Sequence, residues 1–283
     1  MSRIAILGGH GQLGSEVAEL LDERAIALGR DDVDLTDADG LTARLNVERP
    51  VVVVNCSAYN LVDQAEAEPG RAFAVNADGV RTVAAWCRDS DVPLLHVSTD
   101  YVFGADAARR TPYVETDPAG PISVYGRSKL AGEEAVREVC PRHWIVRTCG
   151  LYGHHAARGK GNFVLTMLRL ALERRELRIV NDQRCTPTNA ADLAAALVRI
   201  IESAPFGTYH ATNCGECSWY EFAQEIFAAA GLSPRVTPIT SGEYAARARR
   251  PAYSVLNCGK LAAAGITLRP WTEAVAEYVR ECT

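Results

Sequence analysis

The sequence has no excess of positive charge and no long apolar run. Its 283 residues include 30 Lys and Arg against 35 Asp and Glu, which gives a formal net charge of −5 at pH 7. Nucleic acids and anionic membrane surfaces attract basic faces, so we expect neither kind of partner. The longest apolar stretches, such as PVVVVNCSA, fall well short of the roughly 20 residues that a membrane-spanning helix needs.

The sequence also shows neither the pattern of a signal peptide nor that of a disulfide framework. The N-terminal MSRIAILGG runs from one arginine straight into a strand-like segment. The nine cysteines are odd in number and scattered, and Cys214 and Cys217 form a single C-x-x-C without a second metal-binding pair. That pair could be a redox site or half a metal site, but free thiols in a reducing compartment fit better. We therefore expect a cytoplasmic protein.

Short β-branched runs alternate with helical patterns through the first half of the chain. The runs are RIAIL, AIAL, VVVVN, PLLHVS and HWIVR, and amphipathic segments such as GQLGSEVAELL lie between them. Uniformly apolar strands joined by helices predict an α/β fold with a doubly wound parallel sheet of the Rossmann type. The pattern loosens after residue 150, so we expect a first domain at 1–152 and a smaller C-terminal α/β lobe at 153–283, interleaved with the sheet.

The segment ILGGHGQLG carries two overlapping glycine patterns. Gly9, Gly11 and Gly14 fit G-x-G-x-x-G, whereas Gly8, Gly11 and Gly14 fit G-x-x-G-x-x-G. Glycines between a strand and a helix let backbone N–H groups and the helix N-terminus approach a dinucleotide pyrophosphate. A glycine-rich turn without a ligand is the alternative, and the strand-then-helix context favours the dinucleotide.

The end of the second strand indicates which dinucleotide binds. NAD-binding folds commonly place an acidic residue about 20 residues after the glycines, where it contacts the ribose 2′-hydroxyl. Here Gly29 and Arg30 follow the strand, and a guanidinium can pair with a 2′-phosphate. We therefore expect NADPH, with NADH as the alternative if Asp31 and Asp32 neutralise Arg30.

A tyrosine and a lysine share one face of a predicted helix. SVYGRSKLAGE holds Tyr125 and Lys129 in a Y-x-x-x-K pattern. A nearby ammonium favours the phenolate and so lowers the phenol pKa from about 10, and such a phenol can protonate a carbonyl oxygen. Ser98, Thr99 and Asp100 follow the strand PLLHV, at the sheet edge where doubly wound folds bind ligands, although hydroxyls there also serve as caps.

Together these motifs resemble the extended short-chain dehydrogenase/reductase family. That family uses the G-x-x-G-x-x-G spacing, which implies that Gly8, Gly11 and Gly14 carry the motif and that Gly9 is incidental. VSTDYVF, YGRSKLAGE and NDQRCTPTNAADLA narrow the resemblance to its dTDP-4-dehydrorhamnose reductase branch, over nearly the whole chain. The resemblance implies an NAD(P)H-dependent oxidoreductase that reduces the 4-keto group of a dTDP-4-keto-6-deoxyhexose, in the formation of dTDP-L-rhamnose.

The resemblance also implies roles for individual residues, with cofactor binding at 1–152 and mainly substrate binding at 153–283. Catalysis is assigned to Thr99, Tyr125 and Lys129, with Tyr125 as the proton donor. Together with Arg30, the expected cofactor contacts are Gly8, Gly11, Gln12, Leu13, Gly14, Asp34, Leu35, Ala58, Tyr59, Asn60, Val97, Tyr125 and Lys129. The expected substrate contacts are Thr99, Asp100, Tyr125 and Gly150.

Three features depart from the family pattern. Gly150, in RTCGLYG, stands where the family often has a substrate-facing tryptophan, and losing that ring removes a packing surface. Cys185, in DQRCTPT, occupies a position that usually holds a small residue. Some members dimerise through a magnesium site built from glutamates. Glu16 and Glu281 match that site but Ala191 stands at its third position, so we predict no metal.

Three other functions compete with this hypothesis. An epimerase or dehydratase of the same superfamily is disfavoured by VSTDYVF and DQxxxPT together. A 4-ketoreductase for another deoxysugar is favoured by Gly150. A non-catalytic, cofactor-binding regulatory subunit is disfavoured because Thr99, Tyr125 and Lys129 are all retained. We expect a monomer or a homodimer.

Overall fold

A parallel sheet of six strands forms the centre of the computed structural model, which describes residues 2–155, 161–174 and 176–282. In chain order the strands are β1 Ile4–Leu7, β2 Ala25–Leu28, β3 Val52–Asn55, β4 Leu94–Thr99, β5 His143–Thr148, β6 Leu151–Tyr152, β7 Glu176–Val180, β8 Arg184–Cys185, β9 Thr188–Asn189, β10 Gly207–His210, β11 Cys217–Ser218 and β12 Arg235–Ile239. The central sheet has the order β2-β1-β3-β4-β5-β10, and every neighbouring pair is parallel. The predicted doubly wound sheet is confirmed.

Helices cover both faces of this sheet. They are α1 Gln12–Leu21, α2 Ala38–Glu48, α3 Val62–Ala65, α4 Pro69–Phe73, α5 Gly79–Asp89, α6 Val124–Val139, α7 Phe163–Glu173, α8 Ala190–Ser203, α9 Trp219–Ala229, α10 Ser241–Tyr244, α11 Gly259–Ala263 and α12 Trp271–Cys282. One face packs on α1 and α8, the other on α2, α5 and α6. Alternate strand residues point to opposite faces, so strands buried on both sides are mostly apolar.

Side-chain caps start α6, which carries Tyr125 and Lys129, and also α9. Ser123 accepts a hydrogen bond from the Gly126 N–H at 3.1 Å, so α6 begins directly before Tyr125. Ser218 and Glu221 form a complete capping box at the start of α9. Such caps satisfy N–H groups that have no partner within the helix, and they fix where the first turn begins.

The C-terminal part of the chain contributes to two cores. Strand β10 extends the central sheet beside β5, and α8 packs across α1. Helices α7, α9 and α12 surround a separate apolar cluster that includes the parallel pair of β7 and β12. The division at residue 152 stays a prediction. Within the described ranges, every helix is too short or too polar to cross a membrane.

A buried carboxylate joins α6 to the sheet. Glu133 is 0% exposed and accepts hydrogen bonds from Arg147 Nε at 2.8 Å and Nη2 at 2.7 Å. The Ser98 hydroxyl and Arg137 Nη2 donate to the same carboxylate, each at 2.6 Å. Burial raises the pKa of Glu133, but the hydrogen bonds and charge of Arg147 outweigh burial, and the net shift is downward. The reactive helix is therefore held against β4 and β5.

We expect Glu133→Gln to lower the free energy of unfolding by about 3–5 kcal/mol, because the Arg147 charge stays buried without its partner. Glu134→Gln is the matched control, since Glu134 is exposed on the same turn, and it should change stability by less than about 0.5 kcal/mol. The measurement is denaturant unfolding. Equal losses in the two variants would contradict the structural role of Glu133.

The same substitution should change how stability depends on pH. The folded-state pKa of Glu133 is lowered, so its contribution is present above the unfolded value of about 4.3 and is lost as pH falls through the folded value. The difference between parent and Glu133→Gln should therefore shrink in acid. A difference that stays constant down to acid unfolding would contradict this assignment.

Candidate active site

The glycine loop joins β1 to α1 where the strand order reverses. Strands β2 and β3 lie on opposite sides of β1, so the carboxyl ends of the strands open a crevice there. Gly8 has a φ of 73°, and a Cβ on Gly14 would collide with the Gly8 carbonyl oxygen. Gly11 is the N-cap of α1 and supplies no side-chain cap. The N–H groups of the first turn are therefore open to an anion such as a pyrophosphate.

Gly9 is not incidental, contrary to the sequence-based expectation. Its N–H donates to the Leu28 carbonyl oxygen at 3.0 Å, and a Cβ at this position would lie 2.7 Å from Ala27 Cα. Any side chain would push the loop away from β2. The two glycine patterns therefore coexist because Gly9 serves the contact with β2, whereas Gly8 and Gly14 serve the turn.

Arg30 lies exposed just beyond β2. The neighbouring Gly29 N–H donates to Asp32 Oδ2 at 2.8 Å, so Asp32 is tied to the backbone rather than to Arg30. Among the described residues, Arg30 has no salt bridge within 4.0 Å. The Arg30 charge helps to lower the pKa of Asp34, although hydrogen bonds from Thr36 are the main cause of that shift. The guanidinium is therefore available to a phosphate at this edge.

Two of the expected cofactor contacts are core side chains. Leu13 packs into the cluster on the α1 face and Leu35 into the cluster on the opposite face. Only their backbone atoms can face a ligand. The Asp34 carboxylate already accepts two hydrogen bonds from Thr36, at 2.8 Å from the N–H and 2.7 Å from the hydroxyl. Gln12 is half-buried at the start of α1.

A buried asparagine that the sequence analysis did not single out holds the segment 58–60. Asn76 Oδ1 accepts from the Tyr59 N–H at 2.8 Å, and its Nδ2 donates to the Tyr59 carbonyl oxygen at 3.0 Å. The same Nδ2 donates to Ser128 Oγ at 2.9 Å, and that hydroxyl donates to the Tyr125 carbonyl oxygen at 2.8 Å. Asn76 therefore ties the segment after β3 to α6. The available signal was a polar residue in the apolar stripe of FAVNADGV.

Thr99 lies between Tyr125 and a buried carboxylate. Its hydroxyl donates to Asp100 Oδ1 at 3.0 Å, and its side chain lies near enough to the Tyr125 phenol to lower the phenol pKa. Asp100 is 2% exposed and also accepts from Ser254 Oγ at 2.6 Å and Cys149 Sγ at 3.1 Å. Burial raises the pKa of Asp100 against these hydrogen bonds. Asp100 therefore orients Thr99, and its expected contact with the substrate stays a prediction.

Burial, rather than the lysine charge, dominates the ionisation of the tyrosine. It raises the pKa of Tyr125 to about 12, and the neighbouring Thr99 side chain opposes that rise. Burial also lowers the pKa of Lys129 to about 8. Lys129 Nζ donates to the Val97 carbonyl oxygen at 2.8 Å and lies 3.5 Å from His96 Nε2. The expectation that Lys129 brings the phenol pKa below 10 is therefore wrong for this structure.

The space beside Gly150 is occupied. Gly150 has a φ of 55°, and a Cβ built there would lie 3.3 Å from Pro187 Cα and 3.7 Å from Trp219 Cη2. The Trp219 ring is held in turn by Phe163, with 4.8 Å between the ring centroids. An indole from α9 thus covers the position where the family often has one. Nothing local in the sequence connects α9 to the end of β5, so the place of Trp219 could not be predicted.

The carboxylates that match the family's magnesium site do not assemble as that site would require, and the cysteines form no disulfide. All nine cysteines are free, and Cys185 lies beside Cys149. Glu281 Oε2 contacts His154 Nε2 at 2.8 Å, whereas Glu16 groups with Glu19 and His155, with ligand atoms within 4.8 Å of one another. An imidazole does not suit magnesium, which prefers oxygen ligands, so these residues do not fit that site. The absence of a metal stays a prediction.

This fold and site define a class of protein. A parallel dinucleotide-binding sheet with Thr99, Tyr125 and Lys129 near its carboxyl edge is the arrangement of an extended short-chain dehydrogenase/reductase. The chain belongs to the family whose model is described as the RmlD substrate binding domain, which matches residues 2–283. The family resemblance and the oxidoreductase class inferred from the sequence are confirmed.

Named relatives cover almost the whole chain. It is 44% identical to a dTDP-4-dehydrorhamnose reductase of Streptomyces griseus, with 97% of this chain and 92% of the relative aligned. It is 39% identical to a dTDP-4-keto-6-deoxy-D-glucose reductase of Streptomyces niveus, over 97% and 96% of the two chains. The crystal structure of a dTDP-4-dehydrorhamnose reductase from Bacillus anthracis in complex with NADP matches with a TM-score of 0.93 and 38% identity, over 99% and 100% of the two chains.

Proposed function

We propose that this chain uses NADPH to reduce the 4-keto group of a dTDP-4-keto-6-deoxyhexose, converting dTDP-4-dehydro-L-rhamnose to dTDP-L-rhamnose. The observation that carries the proposal is the placement of Thr99 beside Tyr125 and Lys129, at the same sheet edge as the glycine loop. The names of the relatives support the substrate class. The NADP bound to the Bacillus anthracis enzyme and the exposed Arg30 support NADPH over NADH.

The residues of this chain supply a proton and hold the groups that transfer it. When bound, the reduced nicotinamide supplies hydride to the 4-carbon of the sugar. The sugar oxygen then needs a proton, and Tyr125 donates it, since a phenol pKa of about 12 keeps the proton in place at neutral pH. Thr99 orients the phenol and is itself oriented by Asp100. Lys129 would hold the nicotinamide ribose, and its ammonium would favour the phenolate that proton transfer leaves.

The remaining assignments belong to the same proposal. Residues 1–152 bind the cofactor through the contacts named from the sequence, and 153–283 bind most of the substrate, with Gly150 facing the sugar. A cytoplasmic location is supported by nine free cysteines, which a reducing compartment maintains. We further propose a monomer or homodimer without nucleic-acid or membrane partners.

A sister 4-ketoreductase for another deoxysugar is the second candidate. The glycine at position 150, covered by Trp219, favours it because the sugar meets a differently placed aromatic surface. The relative from Streptomyces niveus, named for a different sugar at 39% identity, favours it too. A regulatory subunit is disfavoured, because such a protein has no need to keep Thr99, Tyr125 and Lys129 assembled.

Incubation with a panel of dTDP-4-keto-6-deoxy sugars tests the proposal. Each sugar is added with NADPH, with and without a 3,5-epimerase, and the product is identified by NMR. We expect loss of reduced-nicotinamide absorbance and formation of dTDP-L-rhamnose when the epimerase is present. A different deoxysugar product would establish the second candidate. Flat absorbance with every sugar, while NADPH still binds, would establish the regulatory alternative.

We expect Tyr125→Phe to lower kcat by about 10²–10⁴-fold with little change in NADPH affinity, because it removes the proton donor but keeps the ring. Lys129→Met should lower both kcat and NADPH affinity, since Lys129 also holds the ribose. Steady-state kinetics and calorimetric titration with NADPH measure the two effects. Turnover above about a tenth of the parent rate in Tyr125→Phe would show that another group is the acid.

We expect Arg30→Ala to weaken NADPH binding by about 1–3 kcal/mol and to leave NADH binding nearly unchanged, because only NADPH carries the 2′-phosphate. Arg24→Ala, at the opposite end of β2, is the matched control and should affect neither cofactor. Calorimetric titration with both dinucleotides gives the comparison. An equal loss for both cofactors in Arg30→Ala would show that Arg30 does not recognise the phosphate.

A further inference from the structure

A buried histidine lies against the lysine of the site. His96 is 0% exposed in the middle of β4, between Asn55 of β3 and Lys129 of α6. Its Nδ1 lies 3.2 Å from Asn55 Nδ2, and its Nε2 lies 3.5 Å from Lys129 Nζ. The proposed mechanism gives His96 no role, although its imidazole contacts the side chain that the mechanism needs most after Tyr125.

The neighbours of His96 determine which ring nitrogen carries the proton. The Ser57 N–H donates to Asn55 Oδ1 at 3.0 Å, so the amide oxygen of Asn55 is held there and its nitrogen faces the imidazole. An amide nitrogen only donates, so Nδ1 of His96 must accept. Burial and the charges of Lys129 and Arg137 hold the pKa of His96 well below its usual value, so the ring is neutral. Its one proton is therefore on Nε2.

That N–H points at Lys129, whose charged form cannot accept it. An ammonium group has three donors and no lone pair, whereas a neutral amine has a lone pair that can accept the Nε2–H. The 3.5 Å separation from His96 is long for a hydrogen bond, as expected of two facing donors, whereas the Val97 carbonyl oxygen accepts from Nζ at 2.8 Å. His96 therefore destabilises the ammonium form of Lys129 relative to its neutral amine form.

The other groups around Lys129 do little to offset this penalty. Glu133, one turn along α6, raises the pKa of Lys129, but its oxygens already accept from Ser98, Arg147 and Arg137. Directly after β3, the Cys56 thiol is neutral, because burial raises its pKa to about 12. Within the part of the chain that the structure describes, Lys129 has no salt bridge within 4.0 Å.

We propose that His96 is a positioning residue that, through its Nε2–H, favours the neutral amine of Lys129 and so sets the upper pH limit of turnover. The ammonium form holds the ribose and favours the phenolate, so activity falls as Lys129 loses its proton. The role given to Lys129 rests on the proposed function. The charge state of Lys129 and the tautomer of His96 are measurable without any turnover.

Lysine NMR measures the charge state directly. The chain has three lysines, Lys129, Lys160 and Lys260, so labelling with ¹³C at Cε gives three signals to titrate, and Lys129→Met identifies the one of interest. We expect Lys129 to titrate near 8. His96→Leu, which removes the donor, should raise the Lys129 value by about one pH unit, a tenfold change in the ionisation equilibrium.

Two further variants distinguish the effect of the His96 Nε2–H donor from the effect of packing by the imidazole ring. His96→Gln places an amide donor near the position of Nε2 and should leave the Lys129 titration close to that of the parent. His210→Leu is the matched control, because His210 is also fully buried and lies 3.3 Å from a cation, Arg147 Nη1. It should leave Lys129 unchanged. An upward shift in His96→Gln as large as in His96→Leu would overturn the proposal.

A second route keeps His96 in place, in case His96→Leu does not fold. Asn55→Leu removes the donor to Nδ1, so the proton can move there and Nε2 can accept from Lys129, which should raise the Lys129 pKa. Imidazole ¹⁵N spectra of the six histidines should show His96 in the parent protonated at Nε2 and neutral. Protonation at Nδ1 in the parent, or an unchanged Lys129 titration in Asn55→Leu, would overturn the proposal.

The pH dependence of kcat/KM tests whether the charge state of Lys129 controls the reaction. The alkaline limb of kcat/KM for NADPH-dependent reduction should move to higher pH in His96→Leu and stay in place in His210→Leu. An alkaline limb that does not move, while the NMR titration does, would remove His96 from the control of turnover. Absence of turnover in the parent itself would instead count against the proposed function and leave the NMR result standing.

Discussion

The buried ion pair between Glu133 and Arg147 holds the reactive helix on the sheet, and the geometry of the site depends on it. Glu133 lies one turn after Lys129 on α6, and its partners come from β4 and β5. A buried ion pair of this kind adds little net stability compared with apolar packing, because both charges must leave water. Its hydrogen bonds are directional, however, and they fix where α6 lies over the sheet edge.

With α6 fixed in this way, parts of the chain that are far apart in sequence come together to form the site. Thr99 at the end of β4 meets Tyr125 on α6, and Asp100 fixes Thr99 by accepting hydrogen bonds from Cys149 and Ser254. Ser254 belongs to the C-terminal part of the chain. This part therefore helps to orient the Thr99 hydroxyl and also forms the C-terminal lobe. A carboxylate with three donors is a rigid support for the group that orients the phenol.

Desolvation determines the ionisation of this site more than pairwise charge does. The pattern of Tyr125 and Lys129 predicts a phenol made more acidic by its neighbour. In the structure, burial raises the pKa of Tyr125 to about 12 and lowers that of Lys129 to about 8. Both shifts favour the neutral form, as a poorly hydrated environment requires. A phenol that keeps its proton suits the role of Tyr125 as the acid in reduction. Because Lys129 changes charge near neutral pH, its contacts, such as that with His96, influence which form is present.

The sequence by itself determined the elements and the family. Apolar periodicity, the Ser218 cap and the glycine loop are local features, so β1 to β5, helices such as α1, α6 and α9, and the dinucleotide crevice could be predicted. Strand β10, the sixth strand of the central sheet, was not predicted. Only the tertiary structure decided which polar groups meet. The partners of Asp100 and the histidine beside Lys129 arise where packed elements cross. Hydrogen bonds and desolvation depend on neighbours in space, and no pattern along the chain specifies those neighbours.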